Sequence, residues 1–197
     1  MKRILTSLLI VAILVTSVTV GTHALFTDSG TVEGNTFTAG TLDLKVNGQD
    51  SATSSYTLTN IKPGAWDLAG QVVLKNDGTV KGHVWYEITN VRNYENTCLG
   101  PEADDNTCGT GIHQGELGSL AKASLQKNVA PWTRYPSSNI LTINAAEGVR
   151  YEVEDLNPGD TLPIVVYGVW PNGSASDDNM AQSDSVVFDV VFHLDQI

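Results

Sequence analysis

Basic side chains are scarce in this sequence. The 197 residues carry 11 Lys and Arg against 22 Asp and Glu, a formal charge of −11. Nucleic-acid binding neutralises phosphates with Lys and Arg, so this balance argues against a nucleic-acid partner. It argues equally against attraction to anionic membrane surfaces. Cysteine and histidine are scarce too, at two and four residues. No second cysteine pair or suitably spaced histidine completes a tetrahedral zinc set. Apolar residues are not lacking: at 41% they disfavour intrinsic disorder, and the length suits one domain.

The first 24 residues stand apart from that domain. Lys2 and Arg3 precede an uncharged run over 4–20, and Thr22-His23-Ala24 places a small residue where a signal peptidase cuts, between Ala24 and Leu25. The alternative is a retained membrane anchor, because the run is close to the minimum length of a spanning helix, roughly 17 residues. Cleavage removes Lys2 and Arg3 and leaves nine basic against 22 acidic residues, a charge of −13. In an exported chain, Cys98 and Cys108 are expected to form a disulfide around a nine-residue polar loop. The chain-entropy model assigns such a link roughly 3 kcal/mol.

The remaining sequence reads as strands. Over 41–47, Leu42, Leu44 and Val46 alternate with Thr41, Asp43, Lys45 and Asn47, the period of a half-buried strand. The same holds over 80–90, where Val84, Tyr86 and Ile88 oppose Lys81, His83, Glu87 and Thr89 with Trp85 as the exception, and over 149–154. Val186, Phe188, Val190, Phe192 and Leu194 share one face of a long closing strand. The run over 162–170 is apolar on both faces, as in a central strand covered on each side. Pro63-Gly64, Asn76-Asp77-Gly78, Pro158-Gly159 and Asn172-Gly173 supply turns. Many short strands punctuated this way predict a β-sandwich. Leu117, Leu120, Ala121 and Leu125 recur at helical spacing and predict one short surface helix over 116–128, stopped by Pro131 and Pro136. Ile61-Lys62-Pro63-Gly64 and Leu156-Asn157-Pro158-Gly159 echo each other.

Catalytic constellations are missing from the pattern. No nucleophile with a base, phosphate loop or metal set has the required spacing, so the expectation is no catalytic, cofactor-binding or metal residues. His113-Gln114-Gly115-Glu116 opens an inverted zinc-protease motif, but Leu117 stands where the second histidine belongs. His83 and His193 are expected as exposed or hydrogen-bonded surface groups. Asp104-Asp105 and Asp177-Asp178 read as solvated loop charge, with calcium ligation the alternative. Asn172-Gly173-Ser174 is a glycosylation sequon in a turn.

Several separated motifs resemble the camelysin/TasA family of exported biofilm-matrix fibre subunits. They are Gly21-Thr22-His23-Ala24-Leu25-Phe26-Thr27-Asp28 with Asn35-Thr36-Phe37-Thr38-Ala39-Gly40-Thr41-Leu42-Asp43-Leu44, then Leu58-Thr59-Asn60-Ile61-Lys62-Pro63-Gly64 with Leu74-Lys75-Asn76-Asp77-Gly78, then Leu156-Asn157-Pro158-Gly159-Asp160, then Asp178-Asn179-Met180-Ala181-Gln182-Ser183-Asp184 with Gln196 near the end. Ser183 departs from the glycine usual in the family's Gln-Gly-Asp, and the Cys98 to Cys108 loop and the 116–136 region look particular to this branch. Similar archaeal proteins form bundling pili, which the acidic balance would suit.

The resemblance implies an all-β jelly roll: signal peptide 1–24, donor strand 25–35 and sandwich 36–197. The donor strand carries Leu25, Phe26, Thr27, Asp28 and Val32 and would add itself to the next subunit. The implied partners are further copies of the chain, head to tail, with neighbouring filaments in bundles and a minor pilin or anchor subunit, outside the cell and off the membrane after cleavage. Two other readings stay open: a camelysin-like secreted zinc metallopeptidase, and a monomeric surface adhesin.

Overall fold

A computed structural model describes residues 39–97, 102 and 111–197. The chain divides into Met1–Ala39 and Gly40–Ile197, and the account below concerns the second unit. In chain order its elements are β1 (Leu44–Val46), β2 (Thr53–Thr59), β3 (Trp66–Asn76), β4 (Gly82–Glu95), β5 (Gly111–Ile112), α1 (Leu117–Leu120), β6 (Lys122–Lys127), β7 (Arg134–Tyr135), α2 (Ile143–Ala146), β8 (Tyr151–Leu156), β9 (Thr161–Val169), α3 (Ala175–Met180) and β10 (Ser185–Gln196). One sheet runs β1-β3-β9-β6-β7, and the other β2-β10-β4 with β5 and β8 both on the far side of β4. The named strand pairs are antiparallel. The fold is an all-β sandwich.

Alternation decides which side chains fill it. Val186, Phe188, Val190 and Phe192 of β10 are buried with Val84, Tyr86 and Ile88 of β4. They meet Leu74 and Val72 of β3, Leu162, Ile164 and Val166 of β9, and Leu125 of β6 in one core. Each such side chain contributes roughly 1.5–3 kcal/mol by leaving water. β9 lies between β3 and β6 and is buried on both faces, as its unbroken apolar run requires. The echoed tetrads are the same turn used twice: Ala65 N–H donates to Lys62 C=O and Asp160 N–H to Asn157 C=O, each 3.0 Å, with Gly64 and Gly159 at φ +80° and +84°. They launch β3 and β9, adjacent strands of one sheet.

Two expectations need correction. The helix over 116–128 is four residues long, after which 122–127 form strand β6, hydrogen-bonded to β9. Ala123 and Leu125 join the core and Ser124 between them is buried as well, while Lys122 and Gln126 are only half-buried, so pairing with β9 overrides the helical spacing. Three short helices are present among the described residues rather than one. The strand over 41–47 shortens to Leu44–Val46, because Asn47 and Gly48 take φ +53° and +76° and reverse the chain. Val46 and Gln49 close this two-residue turn with reciprocal main-chain bonds of 2.9 and 3.0 Å.

β4 also changes phase. Its inward residues are even-numbered up to Ile88 and odd-numbered from Val91, because Asn90 at φ +53° inserts an irregularity opposite Val187 and Asp189. Trp85 is thereby explained: it faces outward, its ring stacked on His193 at 3.7 Å with the Arg150 guanidinium 4.3 Å above it. Around it on the same face, His83 holds Asp155 through Nδ1 at 2.7 Å and Glu152 through Nε2 at 2.9 Å. Lys81 reaches Asp155 at 2.6 Å, Arg150 reaches Glu152 at 2.7 Å, and His193 lies 3.3 Å from Glu87. Both histidines are hydrogen-bonded surface groups, as expected.

This network ties stability to pH in both directions. Asp155, first through Lys81 and then through His83, sits below the usual carboxylate range, as does Glu152 through Arg150 and His83. Their contribution is present above the unfolded values near 3.8 and 4.5 and fades as pH falls. His83 is raised, first by Asp155 and also by Glu152, against the opposing effect of burial. Its contribution is complete below the unfolded value of 6.5 and is lost as pH rises through the folded value. The network's stabilisation should therefore peak between about pH 4.5 and 6.5. Thermal unfolding followed from pH 4 to 8.5 should show that maximum, and His83→Gln should abolish the alkaline limb while only weakening the acid one, which Lys81 and Arg150 still support.

Candidate functional site

The interrupted edge of β3 is the first unusual feature. β1 pairs with only the last residues of β3, Leu44 with Asn76 through Val46 with Leu74. Asn47 then closes the ladder: its N–H donates to Val73 C=O at 2.8 Å and its side-chain oxygen accepts the Val73 N–H at 2.9 Å. Beyond that point the chain turns toward β2. Among the described residues no strand pairs with 66–72 on this side of β3. Beside the open edge Trp66, Leu68 and Val73 are 46%, 59% and 44% exposed. Trp66 is held edge-on to Tyr167, with centroids 6.2 Å apart and Arg134 4.3 Å over its ring.

Other edges look different. Among the described residues β2 also has one side without a partner strand, but the residues beside it, Thr53, Ser55, Thr57 and Thr59, are exposed and polar. β7 is two residues long and flanked by Pro131 and Pro136, devices that blunt an edge. Behind β3, Gly70 leaves room for the Tyr56 ring, whose carbons lie 2.8 and 3.0 Å from where a Cβ would stand. Burial raises the Tyr56 phenol, opposed by Ser54, yet the buried hydroxyl has no partner within bonding geometry.

A second feature is a group of three buried carboxylates. Glu95 of β4, Glu102 and Asp184 bring oxygens within 4.8 Å of one another, with exposures of 6%, 1% and 2%. Asp184 Oδ2 accepts the N–H groups of Glu116 and Leu117 at 2.6 and 3.3 Å, and Ser183 Oγ donates to Glu102 at 3.4 Å. Sequence reasoning noted Asp184 only as part of a family motif and passed over Glu95, which turns inward because of the phase change at Asn90. Nearby, a cleft of about 400 Å³ is lined by residues that include Asn93, His113, Glu116, Asn144 and Glu147. Asn93 organises it, accepting the Gly118 N–H at 2.9 Å and donating to Asn144 at 2.9 Å.

The expected site residues divide sharply. Ala24, Leu25, Phe26, Thr27, Asp28, Val32, Cys98, Cys108, Asp104 and Asp105 lie outside the described residues. Asn172 is exposed, with its side-chain amide over Gly64. Asp178 accepts the Gly173 N–H at 3.1 Å and so holds that turn.

Two substitutions probe the α1 region. Asp184→Ala leaves two main-chain donors without their acceptor and should cost about 1–3 kcal/mol. A β-carbon at Gly118 would stand 2.1 Å from Asn93 Oδ1 and 2.3 Å from Asn144 Oδ1. Gly118→Ala should therefore destabilise by about 1–3 kcal/mol. Urea unfolding measures both, and an unchanged midpoint for either would contradict the geometry.

A family model described as camelysin metallo-endopeptidase matches residues 1–105. No curated protein and no solved structure matches the chain. The description implies a metal, and a catalytic zinc takes about three protein ligands, commonly with histidine, plus an open position for water. The carboxylate group does not fit: its donors are all oxygen, the preference of hard cations, and all three residues are buried. His113, Glu116 and Glu147 line the cleft without bringing three ligand atoms together. The matched residues contain β1 to β4 and with them the β1–β3 edge, and at a little over half of the sequence they place the chain in the camelysin family.

Proposed function

We propose that this protein is a secreted structural subunit that polymerises head to tail into extracellular filaments, with residues 25–35 of one copy completing the sandwich of the next. The observation that carries the reading is the ladder between β1 and β3, which stops at Val73 and leaves the rest of an eleven-residue strand without a partner on that side among the described residues. An open edge with apolar side chains beside it is a template for strand addition. Residues 25–35 contain Leu25, Phe26 and Val32 among Ser, Thr and Gly and have no neighbouring partner strand in the sequence. A contact between two different surfaces of one chain repeats without closing, and the product is a fibre. Cleavage before Leu25 would free the segment, and bundles would form from neighbouring fibres, supporting a biofilm matrix and contact between cells.

The endopeptidase reading is favoured by the family's description. It predicts casein cleavage that follows the pure protein and disappears with chelator. For the filament reading, electron microscopy should show fibres from protein beginning at Leu25 and only particles from protein beginning after Asn35. Particles from both would overturn the proposal, and fibres from both would place the contact on another surface. Phe26→Asp should abolish fibres with little effect on the melting temperature of the sandwich, because a charge cannot enter the apolar face of an acceptor edge without a large desolvation cost.

A further inference from the structure

The two outer faces of the sandwich carry charge of opposite sign. Val72 and Leu74 fill the core, so Val73 and Lys75 stand on the outside of their sheet. Cross-strand register carries that face to Lys45 of β1, to Lys122 of β6 through Trp66 and Val169, and to Arg134 of β7 through Gln126. Among the described strand residues this face holds Lys45, Lys75, Lys122 and Arg134 and no carboxylate, in a chain with 22 acidic and 11 basic residues. Asp67 turns the other way, opposite Gly168, whose inner side meets Leu58. Asp43, Asp50 and Asp77 match Lys45 and Lys75 at the rim. Lys122 and Arg134 form no ion pair among the described residues. The Arg134 guanidinium lies 4.3 Å over Trp66, and Trp66 shares one row with Val169 and Lys122. That row spans two strand spacings, about 10 Å.

The outside of the other sheet reverses the balance, with Glu87, Glu152, Asp155, Asp189 and Asp195 against Arg92 among the strand residues. Lys81 and Arg150, just outside the strands, pair with Asp155 and with Glu152 and Asp195. Glu87 and Asp189 are held differently: Glu87 lies 3.3 Å from His193, and Asp189 accepts from Ser55 and Asn90. Among the described residues no lysine or arginine forms an ion pair with either. They stand on adjacent strands two residues apart in register, Thr89 being opposite Asp189, which separates them by about 8 Å. Their cross-strand neighbours Ser55, Thr89 and Val191 are short, so nothing rises around the two carboxylates.

We propose that these two faces bind each other between copies, the basic outer face of β3, β9, β6 and β7 of one copy lying on the acidic outer face of β10 and β4 of a second, with Lys122 and Arg134 toward Glu87 and Asp189. The inference rests on the filament reading for the arrangement of copies along a fibre and adds the pair of faces that joins one fibre to the next. A strand added at the β3 edge lies in the plane of the sheet, so it widens the basic face and does not cover it. The two faces differ and point in opposite directions, so the contact repeats from copy to copy without closing. A formal charge of −11 otherwise keeps copies apart, and a face without carboxylates is the one an acidic neighbour can approach. Area sets the strength. Residues 66–75 across five strands cover about 33 by 19 Å, or roughly 600 Å², short of the roughly 800 Å² a side of a standard interface. One contact is therefore weak, and many along a fibre add through effective concentration.

Charge exchange tests the pairing in the protein beginning at Leu25. The samples are the unsubstituted protein, Lys122→Glu with Arg134→Glu, Glu87→Lys with Asp189→Lys, and a mixture of the two variants after each has assembled alone. Electron microscopy distinguishes single fibres from bundles, and near-ultraviolet circular dichroism reports folding. The expected result is bundles from the unsubstituted protein, single fibres from each variant, and bundles again from the mixture. Single fibres from the unsubstituted protein, bundles from either folded variant, or single fibres from the mixture would overturn the assignment. Should a reversal fail to fold, the neutral pairs Lys122→Gln with Arg134→Gln and Glu87→Gln with Asp189→Asn decide: the protein concentration at which bundles form should rise about tenfold, and an unchanged one would overturn the assignment. Particles in place of fibres from the unsubstituted protein would sink the filament reading alone. Sedimentation of the same four samples as particles at high concentration then decides the pairing, with association expected in the unsubstituted protein and the mixture, and the same mass in all four overturning it.

Discussion

A strand in a sandwich must place its main-chain donors and acceptors on both sides, and the point where one neighbour departs fixes what the other side can bind. In this protein that point is Asn47. Its left-handed backbone turns the chain out of the sheet, its main-chain N–H binds the Val73 C=O and its side-chain oxygen accepts the Val73 N–H. Among the described residues, no strand pairs with the β1 side of β3 beyond Val73. The same β3 is laddered to β9 on its other side, from Trp66 with Val169 to Lys75 with Thr161, with one break in register between Leu68 and Gly70. Its inner face fills the core through Val72 and Leu74. The edge is therefore held rigidly in position by the part of the strand that is satisfied.

Asparagine performs a similar service elsewhere. Asn90 shifts the phase of β4, which lets the strand bury Val84, Tyr86 and Ile88 in the main core and then send Asn93 and Glu95 inward at the end near α1. Asn93 binds the Gly118 main chain and Asn144, and Asp184 binds the start of α1. Asn76, wholly buried, donates to Val80 and Leu156 carbonyls and accepts from Gly78. Such side chains satisfy main-chain groups where the ladders stop, without which burial would cost about 1–3 kcal/mol per group.

The sandwich itself was legible in the sequence because period two is a direct consequence of one buried face. β10 and the first half of β4 were read with the correct inward residues, and β9 as a central strand. The reading failed where a local pattern competed with a distant partner. Leu117, Leu120, Ala121 and Leu125 fit a helix by spacing alone, while pairing of β6 with β9 is invisible without the fold. The Asn47-Gly48 pair was a turn signal of the strongest kind, passed over because the alternation before it was so regular. The carboxylate group was beyond reach for a different reason: Glu95, Glu102 and Asp184 come together only after two strands and a loop have packed. The open edge was equally unreadable, since an unpaired strand has the same sequence pattern as a paired one.

Magnitudes explain why the apolar margin of that edge matters more than its hydrogen bonds. Ordering a seven-residue segment costs about 7–14 kcal/mol in backbone entropy. Three outward-facing residues offer about six main-chain bonds, each worth about 1 kcal/mol net of water, so hydrogen bonding alone leaves a deficit of several kcal/mol. Burial of large apolar side chains returns roughly 1.5–3 kcal/mol each, and Trp66 and Leu68 on β3 with Phe26 and Val32 on the incoming segment suffice to close the gap. The side of β2 that has no partner strand among the described residues is polar and has no such compensation, which is why the proposed contact is placed on β3.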